Sequence, residues 1–492
     1  MLNKTTQNQT FFFTIINYFG ILIGIVSTLF IYPKNKEMLG VLRYIESLAS
    51  VLFPVLLIGA SQALVNFNSK LDDNDRKKLF TYSIISISFI SFIIVILLLF
   101  SSYLPFLKDL KYIYYAFPIA IFLAFIELFK KQSSIIQKIA VPTFFDNIIP
   151  KIALPVIFLL ILKDCISVSQ SILLYVISYG IVFLLIGLYL FQHFKPTKDL
   201  NFTSLFDKVA KKDYYKFSVF AFAGSLGSVF AFRIDAIMIK SFFSMEDLGT
   251  FSIGVTLASA LAIPATGIFS IYAPIISNYL KNNELDILNI KYKELSKLLF
   301  FIGALLYSCI FLGIENLFLL LPSHSNLEAS IPIILILGFT VLVNMGTGFN
   351  GEIITYSKFY KFNLFAIGVL IALNVLLNLI FINIFNLGLE SVAFASLVAM
   401  IAFNAAKLIF IYKKLRLFPF DKSYLKLVTV FVMVLIFVNY LPKSDSGLIN
   451  LLVKVSVSLT LNLVIIYKLK LVYSYNFWLS NFKKRIFNNG KQ

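Results

Sequence analysis

Long apolar runs alternate with short polar breaks from residue 11 to residue 468. Fourteen runs stand out, at 11–32, 39–63, 80–103, 113–130, 139–162, 169–192, 216–240, 250–278, 298–320, 331–356, 363–385, 391–412, 424–441 and 448–467. About 20 apolar residues wound as a helix cross a hydrocarbon core of ~30 Å. Inside lipid the backbone must satisfy its own polar groups, which a helix does within one segment. The pattern predicts an all-α polytopic membrane protein with about 14 transmembrane helices. No sizeable water-soluble domain is left over.

The breaks are unequal. With the N-terminus placed in the cytoplasm, the outer loops are short (KDLK, KDCIS, SMED) and the inner ones longer, the longest being 193–215. This divides the chain into an N-terminal lobe over 1–195, a cytoplasmic inter-lobe loop over 196–214, a C-terminal lobe over 215–415, two further helices over 416–470 and a basic cytoplasmic tail over 471–492. An internal echo agrees. LGVLRYIESLAS at 39–50 and LGTFSIGVTLAS at 248–259 lie at a constant offset of 209 and share five residues in twelve. Both begin at the outer face, so the halves have the same orientation, as in parallel-repeat transporters. Pro54, Pro118, Pro142, Pro150, Pro155, Pro264, Pro274 and Pro332 interrupt the spans, and each removes a backbone donor.

Composition confirms the class. The 492 residues are 59% hydrophobic and 14% charged, with mean hydropathy +0.88, against roughly 25% charged in a soluble domain. A net charge of +19 invites a nucleic-acid reading, but its distribution excludes one. Of 43 Lys and Arg, 32 fall on the cytoplasmic side, among them Arg76, Lys77, Lys78, Lys211, Lys212, Lys413, Lys414, Lys483, Lys484 and Arg485. Six face outward (Lys34, Lys36, Lys108, Lys111, Lys163 and Lys443), and the remaining five, Arg43, Lys151, Arg233, Lys240 and Lys454, lie within spans. That asymmetry is the positive-inside bias; it returns the C-terminus to the cytoplasm, with the basic tail on anionic lipid headgroups. The run from Phe11 to Tyr32 is too long for a signal-peptide core and reads as a retained first helix. Cys165 and Cys309 are too few for a disulfide framework and lack metal spacing; no metal site and no cofactor is predicted. His193 and His324 read as solvated.

Charge within the spans carries the candidate chemistry. FAFRIDAIMIKSFF, residues 230–243, sets Arg233, Asp235 and Lys240 in an apolar helix. At 100° per residue, Arg233 and Asp235 point about 200° apart. Asp235 shares its face with Gly224, Ser228 and Ala231, while Arg233 shares the other with Phe222, Val229 and Lys240. A charge facing lipid at mid-bilayer costs ~3 to 17 kcal/mol, so both faces must meet protein or water. For Arg233 and Asp235 this means a cavity or a buried pair; Lys240, at the outer end, snorkels. Arg43 and Glu46, three apart in the second span, form either an intrahelical ion pair or part of a cavity. Asp146 and Lys151 in the fifth span, Glu315 in the ninth and Glu352 in the tenth are further pathway or ion-coupling candidates. Glu127, Lys407 and Lys454 lie near the interfaces and read as snorkelling. GTGFNG at 346–351 matches the dinucleotide fingerprint but lacks its strand and βαβ setting; it reads as close packing or a local unwinding. No phosphate-binding G-x-x-x-x-G-K-[ST] motif occurs.

RIDAIMIKSFFSMEDLGTFSIGVTLA at 233–258 resembles the seventh helix of the polysaccharide-transporter branch, the O-antigen and capsule flippases, of the multidrug/oligosaccharidyl-lipid/polysaccharide flippase superfamily. Arg233, Asp235, Gly249 and Phe251 occupy the places of its basic-x-Asp pair, Gly and aromatic residue. NVLLNLIFINIFNLGLESVAFA at 374–395 is similar to that branch's Asn-rich eleventh helix and turn through Asn374, Asn378, Gly388, Ala393 and Ala395. Ser391 and Val392 replace the usual Gly-Ala, and the proline common early in the seventh helix is missing. The resemblance implies two six-helix lobes in a V, opening alternately to either side, with two added C-terminal helices. It implies transport rather than enzymatic catalysis, in a bacterial cytoplasmic membrane. The cargo it implies is an undecaprenyl-diphosphate-linked oligosaccharide, and the partners it implies are membrane lipids and other polysaccharide-assembly membrane proteins. Arg233, with Lys151 or Arg43, would shield the diphosphate. A multidrug or cation antiporter and a lipid II flippase are rivals within the superfamily. A membrane polysaccharide polymerase or ligase is a distant alternative, disfavoured by the short outer loops.

Overall fold

The computed structural model describes residues 19–68, 70–100, 111–442 and 444–489, apart from the side chains of Phe232, Ser270 and 482–489. Residues 11–18 of the first predicted span, 101–103 of the third, Lys108, Lys443 and the side chains of Lys483, Lys484 and Arg485 lie outside these. Among the described residues every regular element is a helix. Eleven are long and apolar enough to cross a membrane, and two bent pairs bring the number to 13. Phe19–Phe30 falls within the first predicted span, so a helix underlies each of the 14.

The first unit runs to Ser252. It comprises α1 (Phe19–Phe30), α2 (Lys36–Leu57), α3 (Ala60–Asn68), α4 (Asp73–Leu99), α5 (Ile113–Ile135), α6 (Ala140–Leu162), α7 (Val168–His193), α8 (Thr203–Lys208), α9 (Lys211–Phe242) and the first half of α10 (Met245–Ser259). Local chemistry sets the starts. Asn35 caps α2 by accepting from the Met38 amide at 3.0 Å, Asp72 caps α4, and Ser167 with Gln170 forms a reciprocal capping box on α7. α2 stops at Ile58 and Gly59, both left-handed at φ 39° and 74°. Gly59 is required twice over, since a Cβ there would also stand 2.1 Å from the Ser218 carbonyl of α9. α2 packs on α5 and α9, and α7 on α5 and α6. Beyond its charged first turns α4 is largely apolar and leaves Phe89, Phe92, Leu97 and Leu99 exposed, as a lipid-facing helix must.

The two echo segments meet in a reciprocal contact. A Cβ on Gly40 would lie 1.8 Å from the Met245 carbonyl oxygen, and one on Gly249 would lie 1.9 Å from that of Lys36. The offset of 209 carries Lys36 to Met245 and Gly40 to Gly249. Each segment thus presents the same two positions to the other, the mark of a two-fold relation. Only glycine permits the approach.

The loop 196–214 is built rather than free. α8 forms within it, and Leu205 is fully buried. Lys78 of α4 pairs with Asp199 at 2.8 Å, and Lys208 pairs with Asp72 at 2.5 Å and Asp75 at 2.7 Å. Ser204 donates to Asp75 and accepts from Lys78, and Thr81 exchanges hydrogen bonds with the backbone of Thr197.

The second unit begins at Ile253 and so includes the end of α10. It adds α11 (Ile263–Lys281), α12 (Leu285–Leu319), α13 (His324–Glu328), α14 (Ile331–Gly346), α15 (Asn350–Tyr356), α16 (Lys361–Asn383), α17 (Glu390–Leu415), α18 (Lys422–Asn439), α19 (Gly447–Lys468) and α20 (Tyr473–Asn489). α12 is its axis, packed on α14, α18 and α19, while α17 lies against α14 and α16. The segment 471–492 begins as a docked element, with Leu471 and Val472 buried and the Tyr475 ring tilted against that of Phe301 at 5.1 Å.

Candidate functional site

Three charges meet inside the first unit. Arg43 and Glu46 stand three residues apart on α2 and therefore on one face. The Arg43 Nη1 donates to Glu46 Oε2 at 2.6 Å. From α9, Arg233 Nη2 donates to the other carboxylate oxygen at 3.1 Å. α7 supplies Tyr175, whose hydroxyl donates to Glu46 Oε2 at 3.4 Å, and Tyr179 lies one turn on, 3.3 Å from Tyr175. Both carboxylate oxygens are thus engaged, and side-chain exposure rises outward from Glu46 (14%) through Arg43 (26%) to Arg233 (36%). Two guanidiniums share one carboxylate, so the cluster carries a net charge of +1. Charge-assisted hydrogen bonds of this length offset the desolvation of the buried ions. Arg233 is left with donors to spare, because a guanidinium has five N–H groups. The arrangement can bind an anion without dismantling its own support.

Around this cluster the other candidates take different places. Asp146 of α6 pairs with Lys130 of α5 at 2.5 Å. Lys151, one turn further along α6, is half-buried against α1, its Nζ 3.0 Å from where a Cβ on Gly20 would stand. Among the described residues it makes no ion pair. Asp235 is half-buried on α9 and Lys240 is exposed at its outer end. α9 bends by 51° between Ala231 and Arg233. Sequence reasoning missed Tyr175, Tyr179 and Lys130; for the tyrosines the only signal was their i,i+4 spacing on an otherwise apolar span.

In the second unit Glu352 sits half-buried on α15 and Glu315 is exposed on α12. The GTGFNG stretch is the break between α14 and α15, a bend of 49° through Gly348 at φ 68°. Its freed carbonyls are taken by side chains: Ser296 and Tyr424 donate to Gly346 O, and Tyr292 donates to Thr347 O. Asn404 of α17 ties the break together, accepting from Asn350 at 2.8 Å and Thr347 at 3.1 Å and donating to Asn344 at 3.3 Å. Lys407 and Lys454, expected to snorkel, are instead buried at 8% and 6% exposure. Each lies on the helix face that packs inward. Glu127 pairs with Lys131 one turn on at 3.3 Å. Among the described residues no group of His, Cys, Asp and Glu has the geometry of a metal site.

No family model matches the chain, and neither does any curated protein. Solved structures do. The lipid II flippase MurJ in an inward closed conformation aligns with a TM-score of 0.68 at 16% identity, over 93% of this chain and 99% of that one. An inward-facing multidrug resistance MATE transporter of the MOP superfamily gives 0.61 at 14% identity, over 82% and 94%. The MATE multidrug transporter DinF-BH gives 0.57 at 16% identity, over 85% and 97%. At these identities the likeness is one of fold. The chain is an all-helical, multi-pass membrane protein with the fold shared by MurJ and the MATE transporters.

Proposed function

We propose that this protein is a flippase for an undecaprenyl-diphosphate-linked oligosaccharide, an O-antigen or capsule repeat unit. It carries the unit from the cytoplasmic to the periplasmic leaflet of a bacterial inner membrane by alternating access, without ATP hydrolysis. The observation that carries this reading is the net positive Arg43–Glu46–Arg233 cluster, held inside a membrane unit by Tyr175. A diphosphate needs donors that remain charged in a low dielectric, and arginine supplies them bidentately. A cation antiporter needs the opposite sign, so the cluster favours an anionic lipid over an organic cation. Lys151 and Lys240 extend the cationic surface for the headgroup, while the lipid tail never leaves the bilayer.

An inside-negative potential favours outward movement of negative charge by ~2.3 kcal/mol per charge per 100 mV. Two uncompensated diphosphate charges would add about 4.6 kcal/mol per 100 mV in favour of the step. Carboxylates such as Asp235, Asp146, Glu352 or Glu315 are the alternatives, through ion coupling. The MurJ likeness favours a second reading, in which the cargo is lipid II.

Depleting the protein in its host and identifying the lipid-linked intermediate left on the inner leaflet separates these cargoes. If no such intermediate builds up, the flippase reading fails. Arg233→Ala is expected to abolish export of the polysaccharide at normal membrane expression, because it removes the surplus charge and leaves the Arg43–Glu46 pair intact.

A further inference from the structure

The second unit holds a buried cation that the proposed cargo site does not use. Lys407 lies on α17 at 8% exposure, and among the described residues it makes neither an ion pair nor a hydrogen bond. Its Nζ stands 3.9 Å from the centroid of the Phe403 ring, one turn back. Gly351 is also close, and an added Cβ there would stand 3.6 Å from the ammonium. The next residue, Glu352, is the carboxylate in electrostatic reach of the ammonium, and the two are not in contact. Asn404, three residues before Lys407, joins Asn350 and Thr347 at the α14–α15 break.

These groups make an unusual set for an apolar interior. One carboxylate, amide oxygens and a hydroxyl at an unwound helix are the donors that a hard monovalent cation takes in membrane carriers. Here the positive charge arrives on a side chain instead. The face of Phe403 attracts the ammonium through its quadrupole, and Glu352 supplies the countercharge that a buried cation requires. A second cation beside it would face like-charge repulsion in a low dielectric. Gly351 matters sterically, because any residue larger than alanine would crowd the ammonium.

We infer that Lys407 is a tethered cation standing in for a monovalent metal ion at the α14–α15 break. The break is therefore indifferent to Na+ and K+, and removing the ammonium opens a metal-ion site with Glu352 as its charged ligand. The inference concerns ion dependence alone and is read without any cargo, so it stands or falls separately from the flippase reading.

The full chain, purified in detergent, is melted in choline chloride, NaCl and KCl at equal ionic strength. The native protein is expected to gain no stability from Na+ or K+ that depends on Glu352. Lys407→Ala is expected to melt lower in choline and to regain about 2 °C or more, saturably, with Na+ or with methylammonium. Adding Glu352→Gln to that variant should remove the regain. Saturable stabilisation of an otherwise native protein by Na+ over choline that Glu352→Gln abolishes would overturn the inference. So would a Lys407→Ala protein that ignores both Na+ and methylammonium. Should Lys407→Ala aggregate on extraction in choline, extraction in methylammonium replaces the melt: recovery of monodisperse protein supports the inference, and continued aggregation overturns it.

Discussion

The two units solve the same problem, polarity inside a membrane span, in opposite ways. The first gathers full charges: Arg43, Glu46 and Arg233 from two helices, braced by tyrosines of a third. The second gathers neutral amides: Asn344, Asn350, Asn404 and Thr347 knit around a broken helix, with Lys407 and Glu352 held apart beside it. Charged groups retain spare hydrogen-bonding power for a ligand. A closed amide network spends its donors on its own members. The echo at an offset of 209 therefore conserves the helix crossing, through Gly40 and Gly249, and not the chemistry.

Removing Glu46 should break the first unit most severely. Glu46→Gln leaves two guanidiniums facing each other, and losing the common partner of a buried ionic cluster costs about 3–5 kcal/mol. A large fall in the detergent melting temperature is the expected readout; an unchanged melt would mean that the cluster contributes nothing to folding. Adding Arg43→Met to that variant should recover part of the loss, because Arg233 then stands alone beside a neutral amide and the repulsion is gone.

Gly40→Ala and Gly249→Ala test the reciprocal crossing. Each Cβ must displace a backbone carbonyl, and overpacking of this kind costs about 1–3 kcal/mol. The two losses should be similar, and less than additive when combined, since one backbone shift relieves both. A tolerated Gly40→Ala beside a damaging Gly249→Ala would contradict the two-fold relation.

Asn404→Leu sharpens the contrast from the other side. It strands one N–H of the Asn350 amide, whose other partner is Thr347, and an unsatisfied buried polar group costs about 1–3 kcal/mol. Hydrogen exchange should rise at the α14–α15 break and stay unchanged at α2 and α7.

The smallest effect belongs to the loop clamped on α4. The hydrogen bond from Lys208 holds the Asp72 carboxyl below its ordinary 3.8, and that from Lys78 does the same for Asp199. Asp72 and Asp75 in turn hold Lys208 above its ordinary 10.5. Depressed carboxyls stabilise above their unfolded pKa and lose that contribution as pH falls through the folded one; a raised lysine stabilises below its unfolded pKa and loses it on the alkaline side. The clamp should therefore hold between about pH 4 and pH 10 and loosen beyond both. Limited proteolysis of 196–210 across that range, with and without high salt, would show it; cleavage independent of both would rule out an ionic clamp.

Much of this architecture was legible in the chain. Among the described residues a helix underlies each of the fourteen predicted runs, because the demand for internal hydrogen bonding in lipid is local to each run. Arg43 and Glu46 were legible as a pair for the same reason, being three apart on one helix. The GTGFNG unwinding could be read from glycines in a span whose neighbours are all bulky.

What the sequence by itself determined is which segments enter the membrane and where charge interrupts them. The tertiary structure alone decided what each charge meets. Arg233 finds Glu46 across 187 residues, Lys407 turns inward where its position near a span end predicted snorkelling, and the loop 196–214 folds onto α4. Hydropathy reports the cost of taking a helix out of water, which depends on that helix alone. Which face it buries, and whether a buried charge is paired, depends on helices that arrive from elsewhere in the chain.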